Sequence, residues 1–503
     1  MKSGFCIAKG DVYFNIKKDI TGLPLKIENL QNGYLFIGDK SPFKKMEMDN
    51  ETLYLIGTIS NRRLLEGLAG RYDASAWSLS DIELLHTLFL YLGTQALSLA
   101  EGSFFFFKEN KKGELTLLTD PNGFMPVHVI HDQTSLWITD RLKFVGRIVQ
   151  KSIFDFMHED EVIQNALHSD TFTPIKNATR LKPGSINQIK KDMQGYEYLS
   201  NDSIYPSNTE KQLNIAKDTL FELIDSYLKA PFRSLVHTHQ TVGIPLSGGL
   251  DSSLITALAS QFFQHIKTWS IGTELSNEFE YSQMVADAIG TEHHVKILTE
   301  SDVINGVIEA IYHNEIFDGL SAEIQSGLFN VYRMAQNHVS VMMTGYGSDL
   351  LFGGILKPGE KYSSPNKILC EQVYRTRWTG EFVSHGAAHY GLQLNHPFWN
   401  NDLISLCRNL NPDYKIKDNE VKNILREYTE KLNLLPKEIV WRKKIGIHEG
   451  SSVNKSFANI LGLHVDNYSH KTRFTYRVYK SFLENTLSLE NATSDHLRKL
   501  ITD

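Results

Sequence analysis

At 503 residues, 41% of them hydrophobic and 22% charged, the chain has the make-up of a globular protein long enough for two cored domains. A formal net charge of −6, with Lys and Arg scattered rather than gathered into runs, gives no electrostatic footprint for nucleic acid. No apolar run approaches the ~20 residues that span a bilayer, and the opening MKSGFCIAKGD lacks the apolar stretch and cleavage site of a signal peptide, so a cytoplasmic protein without membrane association is expected.

The first two hundred residues hold short segments rich in Val, Ile, Phe and Tyr, such as Leu53–Ile59, Ser103–Phe107, Leu115–Leu118 and Val127–Ile130, separated by Gly, Asn and Asp turns. They predict stacked antiparallel sheets. One amphipathic helix, Asp81–Leu92, interrupts them, with an acidic first turn and a stop at Gly93. The polar stretch Ser200–Gln212, with Pro206, reads as a linker, which divides the chain into domains over 1–205 and 212–503. From Thr241 the rhythm changes: strand Thr241–Leu246, helix Ser252–Ile266, strand Lys267–Ile271, helix Glu280–Ile289, strand His293–Leu298, helix Ser301–Tyr312, strand Val339–Met343. Alternation of this kind predicts an α/β domain whose parallel sheet binds ligands at the carboxyl ends of its strands. Beyond Leu350 the pattern is mostly helical, ending in the polar tail Leu489–Asp503. Cys6, Cys370 and Cys407 are an odd set with no CxxC pairing, and read as buried thiols rather than a disulfide framework or zinc site.

Two loops carry chemistry. Ser247-Gly248-Gly249-Leu250-Asp251-Ser252-Ser253 follows the first strand of the second domain and opens a helix, so backbone N–H groups, hydroxyls and the helix N-terminus can converge on a phosphate. No GxxxxGK[ST] is present, so the loop is not a Walker loop. Thr344-Gly345-Tyr346-Gly347-Ser348-Asp349 follows another strand, and Asp251 and Asp349, at the ends of two parallel strands, suit a Mg²⁺ ion holding pyrophosphate.

With both loops read, the chain resembles the class B asparagine synthetases throughout its length. Ser247–Ser253 matches the family's SGGLDSS loop, and Thr344–Gly354 resembles its SGEGSDELFGG. Pro397-Phe398 resembles its PFLD motif, and Lys422, Arg426, Pro436, Trp441-Arg442 and Lys444 resemble its K-x-x-LR, LP and WR-x-K landmarks. The resemblance implies an α+β, Ntn-hydrolase-like sandwich at the N-terminus, then an α/β ATP-pyrophosphatase domain of the adenine-nucleotide α-hydrolase type. It implies ATP bound by Leu246, Ser247, Gly248, Gly249, Leu250, Asp251, Ser252, Ser253, Ile271, Thr344 and Gly345, and weakly a homo-oligomer.

Two departures bear on function. Glutamine-dependent members begin Met-Cys, freeing an N-terminal cysteine nucleophile. Here the chain begins Met1-Lys2-Ser3, with Cys6 nearby; Asn61, Glu101-Gly102 and Asp120-Pro121-Asn122-Gly123 persist as residues of the amidotransferase pattern, so a degenerate glutaminase scaffold is expected. The second departure is Tyr346, where asparagine synthetases carry Glu. A substrate amine with a pKa of about 10 must lose a proton before it attacks an acyl-adenylate, and a phenol of similar pKa backed by a carboxylate can take it. Tyrosine here resembles the β-lactam-forming branch, whose partner glutamate corresponds to Glu381; Lys444 then stabilises the developing oxyanion, chosen over Lys443 by the WR-x-K spacing.

Within that branch, Gly33–Ile37, Thr273–Glu280, Ile316–Glu323 and Lys443–Gly450 resemble the carbapenam-forming enzymes. The resemblance implies adenylation of (2S,5S)-5-carboxymethylproline and closure to carbapenam-3-carboxylate with AMP and pyrophosphate. Alternatives are a clavam-type enzyme closing a guanidine-bearing β-amino acid, with Asp318 and Glu323 as candidate guanidinium acids, an asparagine-synthetase-like ligase, and a noncatalytic homologue.

Overall fold

The structure, a computed structural model, describes residues 3–10, 12, 16, 23–93, 96, 99–132, 135–149, 152–166, 172–191, 196–203, 212–357, 359–378, 380–417, 420–443 and 446–492. The chain forms two compact units, Met1–Pro206 with Glu315–Asp318 and Thr472–Asp503, and Ser207–Asn314 with Gly319–Lys471. This division departs from an unbroken second domain over 212–503, for physical reasons inside the first unit. Arg477 Nε donates to Glu159 Oε1 at 2.8 Å, the Tyr476 hydroxyl donates to the Met157 carbonyl at 2.8 Å, and the Glu315 carboxylate accepts the N–H groups of Leu142 and Lys143 at 2.8 and 2.9 Å. The expected linker also begins too early, because Tyr196–Ser203 is a strand paired with Ser185–Lys191.

The first unit contains two six-stranded antiparallel sheets. In spatial order one runs Ala178–Arg180, His128–Asp132, Ser135–Thr139, Phe5–Gly10, Gly33–Gly38, Leu25–Leu30, and the other Tyr196–Ser203, Ser185–Lys191, Leu115–Thr119, Gly102–Asn110, Glu51–Ile59, Phe43–Glu47. Alternation along strands explains how one run of four phenylalanines serves two layers. Phe105 and Phe107 face the other sheet in a core with Phe5, Ile7, Leu35 and Ile37, where Phe5 and Phe105 stack with centroids 4.9 Å apart. Phe104 and Phe106 face the opposite way, onto Leu65, Leu84, Leu85 and Leu88 of the helices Arg62–Ala69 and Asp81–Leu92. The second helix has the predicted bounds, set by the Ser80–Glu83 capping box and by Gly93 at φ 59°.

Cys6 lies in the strand Phe5–Gly10, paired on both sides, by Gly33–Gly38 and by Ser135–Thr139. Burial, with the nearby Asp140 carboxylate adding to it, pushes its thiol well above the ordinary cysteine range, the reverse of an activated nucleophile. Cys6→Ala should therefore leave ligase turnover within about twofold of wild type, since truncations away from a site act mainly on stability; a steady-state pyrophosphate assay checks this.

The second unit is built on a five-stranded parallel sheet in the order Glu292–Leu298, His265–Thr273, Thr241–Pro245, Val341–Met343, Gln393–Asn395. The strand order reverses direction between Thr241–Pro245 and Val341–Met343, so the loops after these two strands open side by side at a switch point, where open α/β sheets bind ligands. The helix after the first strand spans Leu250–Ala259 and stops short of the expected Ile266, because Phe262 and Phe263 turn out of it to pack on Phe232. Among the described residues no helix is long and apolar enough to cross a membrane.

Candidate active site

The loop after Thr241–Pro245 is held by its own hydroxyls. Ser247 Oγ accepts the Gly249 N–H at 3.2 Å and lies 3.1 Å from Ser252 Oγ, which accepts the Ser247 N–H at 3.1 Å. Gly248 sits at φ +73°, and a Cβ there would meet the Ser282 nitrogen at 2.6 Å, so only glycine fits. Among the described residues Ser253 Oγ has no hydrogen-bond partner although it is buried, which leaves a hydroxyl donor at the helix N-terminus. Leu246, Ser247 and Ile271 line one small cavity beside the phosphate loop with Trp269, Ser270 and Phe279. Gly248→Ala should raise the KM for ATP at least about tenfold, because the new methyl displaces backbone and not a flexible side-chain end. An unchanged KM in a pyrophosphate-release assay would contradict that placement of the nucleotide.

The second loop packs directly on the first, since a Cβ on Gly345 would meet the Ser252 nitrogen at 2.7 Å. Asp251 and Asp349 converge on one cation, the ammonium of Lys422, which lies 2.7 and 2.6 Å from the two Asp251 oxygens and 2.5 Å from Asp349 Oδ1. Ser348 Oγ donates to Asp251. The Lys422 side chain is 2% exposed, whereas those of Asp251 and Asp349 are 22% and 30% exposed. Burial alone would push Lys422 down, but Asp251 and then Asp349 hold it above its ordinary value.

Lys422 caps the helix Asn423–Leu432, and Arg426, one turn on, donates to the carbonyls of Val421, Val440 and Arg442. Arg442 in turn donates to the Gly248 carbonyl at 3.4 Å, pairs with Glu278 and lies 3.6 Å over the Tyr281 ring. Burial raises the Glu278 carboxyl against the opposing pull of Arg442. This relay from Lys422 to Gly248 is the physical content of the sequence landmarks Lys422, Arg426 and Arg442.

Tyr346 stands one residue past Gly345. Its ring meets Phe382 edge-on at 4.7 Å, in the short turn Gly380–Phe382 that also holds Glu381. The Glu381 carbonyl accepts from Gln325 Nε2 at 3.0 Å. The ring of Tyr346 thus reaches the turn that carries Glu381 at its neighbour Phe382. Lys444 lies outside the described residues, while its neighbour Lys443 is exposed.

Residues 3–204 match the family described as carbapenam-3-carboxylate synthase, N-terminal, and residues 224–371 and 381–502 match asparagine synthase. The chain belongs to the asparagine synthase family. It is an ATP-dependent ligase that forms a C–N bond, with an N-terminal region of the carbapenam synthase type. It is similar to the asparagine synthetase [glutamine-hydrolyzing] of Mus musculus, 27% identical over 410 residues that make up 72% of each chain. To that of Gallus gallus it is 30% identical over 294 residues, 52% of this chain and 51% of the relative; the chain spans about half the length of several such relatives. Among solved structures, NMN synthetase from Francisella tularensis covers 55% of this chain and 98% of its own at 11% identity, with a TM-score of 0.28.

Two carboxylates able to share a cation, rather than a larger cluster, fit Mg²⁺, which takes one or two protein carboxylates and completes its shell with phosphate and water. Among the described residues no group of three or more His, Cys, Asp or Glu converges in that way. In this asparagine synthase family member Asp251 and Asp349 would hold the ion, which when bound neutralises pyrophosphate charge. Lys422 and Arg442 were visible only as landmarks in the sequence.

Proposed function

We propose that this ligase closes a β-lactam ring. The observation that carries the reading is Tyr346, at the end of a switch-point strand beside the nucleotide loop, held against the turn of Glu381. The side-chain carboxylate of (2S,5S)-5-carboxymethylproline attacks the α-phosphate of ATP and is adenylated with release of pyrophosphate, with Ser247–Ser253 cradling the phosphates; Asp251 and Asp349 would hold a Mg²⁺ ion that neutralises pyrophosphate charge. The Tyr346 hydroxyl passes its own proton to the Glu381 carboxylate as it takes the proton from the pyrrolidine nitrogen, and the nitrogen closes on the acyl carbonyl with loss of AMP. Lys444, by its match to the family's WR-x-K pattern, stabilises the oxyanion. The product is carbapenam-3-carboxylate, as in the route to a carbapenem antibiotic.

In this reading residues 1–205 are a degenerate class II glutamine amidotransferase-like scaffold, supported by the burial of Cys6, and the synthetase chemistry lies in the unit Ser207–Asn314 with Gly319–Lys471, the protein acting as a cytoplasmic homo-oligomer. The attacking nitrogen then belongs to the substrate, since no ammonia is supplied. Glu323 speaks against a guanidine substrate: it is fully buried, paired with the equally buried Lys471 at 2.5 Å, and accepts from the Tyr468 hydroxyl at 3.1 Å, so its charge is already met. The test is exchange of labelled pyrophosphate into ATP with carboxymethylproline, a guanidine-bearing β-amino acid or aspartate as the acid. Exchange with the first supports the reading; exchange only with another acid overturns it.

A further inference from the structure

We propose that His396 is a positioning residue for ring closure, setting the loop of Tyr346 through Thr344 and the turn of Glu381 through Phe382. The inference rests on the ring-closure reading above. His396 follows the edge strand Gln393–Asn395, which pairs with Val341–Met343, and its Nδ1 lies 2.7 Å from Thr344 Oγ1. The same hydroxyl accepts the Tyr346 N–H at 3.3 Å. The Thr344 hydroxyl thus joins the His396 ring and the Tyr346 N–H in one hydrogen-bonded chain. Burial favours the neutral ring, pushing His396 down to about 3.

On its other side the imidazole meets Phe382 edge-on at 5.0 Å. Phe382 stacks on Trp399 at 4.4 Å and presses on Tyr346 at 4.7 Å, so it cannot shift without moving the phenol. Trp399 also closes off the space above Gly347, where a Cβ would approach its ring at 2.9 Å. One ring therefore touches both segments that carry the proposed dyad. What the site needs from residue 396 is a hydrogen-bonding atom at the Nδ1 position on a planar group. Asparagine can offer one and phenylalanine cannot.

The test uses the full-length enzyme and its His396→Asn, His396→Phe, Thr344→Val and His396→Phe/Thr344→Val variants, each assayed for carboxymethylproline-dependent pyrophosphate exchange and for ring-closed product. His396→Phe should keep exchange and the KM for ATP within about twofold while closure falls about 100-fold, the scale of a displacement near 1 Å. His396→Asn should recover at least about a tenth of wild-type closure, and the double variant should close the ring no more slowly than the slower single variant, because both changes break one hydrogen bond. Exchange and closure falling together in both His396 variants, closure unchanged in His396→Phe, or losses that multiply in the double variant would overturn the inference alone. Absence of exchange in the wild type would overturn the functional reading and the inference with it.

Discussion

Tyr346→Phe should leave pyrophosphate exchange within about threefold of wild type and lower product formation by about a thousandfold, within the range assigned to a positioned proton acceptor. The two activities separate because the substitution removes one oxygen and leaves the packing. The edge-on contact with Phe382 needs the ring, and the Thr344 hydroxyl takes the backbone N–H of residue 346. Adenylation makes no use of a phenol, whereas cyclisation needs the nitrogen deprotonated at the moment of attack. Rapid quench of enzyme, labelled ATP and substrate should accordingly show the adenylate accumulating in the variant. Product formed at the wild-type rate would remove Tyr346 from the mechanism.

Lys422→Met should have the second-largest effect. The ammonium is the charge that now holds Asp251 and Asp349 together, and without it two carboxylates face each other at the mouth of the phosphate loop. Breaking such a pair costs about 3–5 kcal/mol when fully buried; with both carboxylates partly exposed, about 2 kcal/mol is expected, or a fall of several degrees in Tm in EDTA. Added Mg²⁺ should recover more of that loss in the variant than it adds to wild type, because the metal replaces a missing cation instead of competing with a resident one. Pyrophosphate release should fall by at least about a hundredfold, since both loops lose their anchor. The sign of the pH dependence follows from the raised value of Lys422: its stabilisation is fully present below the unfolded lysine value of about 10.4 and is lost only as pH rises through the higher folded value. Lys422→Met and wild type should therefore differ in Tm by a constant amount from pH 6 to 9. A variant with unchanged Tm in EDTA would contradict the ion-pair account.

Legibility in the sequence followed how local each signal was. The helix Asp81–Leu92 was readable to the residue because its start and stop are written into Ser80, Glu83 and Gly93. The two loops were readable because glycine, serine and aspartate at a strand end have few other uses, and the structure sets them side by side at the switch point. The 17-residue helix Gly319–Ala335 escaped notice because it is buried on many sides. Gly319, Ser321, Glu323, Gln325, Ser326 and Asn330 lie inside along with Ala322 and Phe329, so no apolar stripe marks it. The strand Gln393–Asn395 is three residues long and has no alternation to read.

The candidate site divides in the same way. Asp251 and Asp349 were legible as carboxylates brought together by two strand ends, but the cation now between them was not, because Lys422 reaches them from a helix cap 73 residues beyond Asp349 and at φ +60°. Glu323 read as an open acid in the sequence and is closed by Lys471, whose 148-residue separation leaves no local trace.

The central claim is ring closure, and the most direct measurement is the mass of the product. Purified protein incubated with MgATP and (2S,5S)-5-carboxymethylproline, followed by liquid chromatography with mass spectrometry, should yield AMP, pyrophosphate and a product lighter than the substrate by one water. Pyrophosphate release accompanied only by unchanged substrate, regenerated by hydrolysis of the adenylate, would contradict the claim, as would no substrate-dependent pyrophosphate at all.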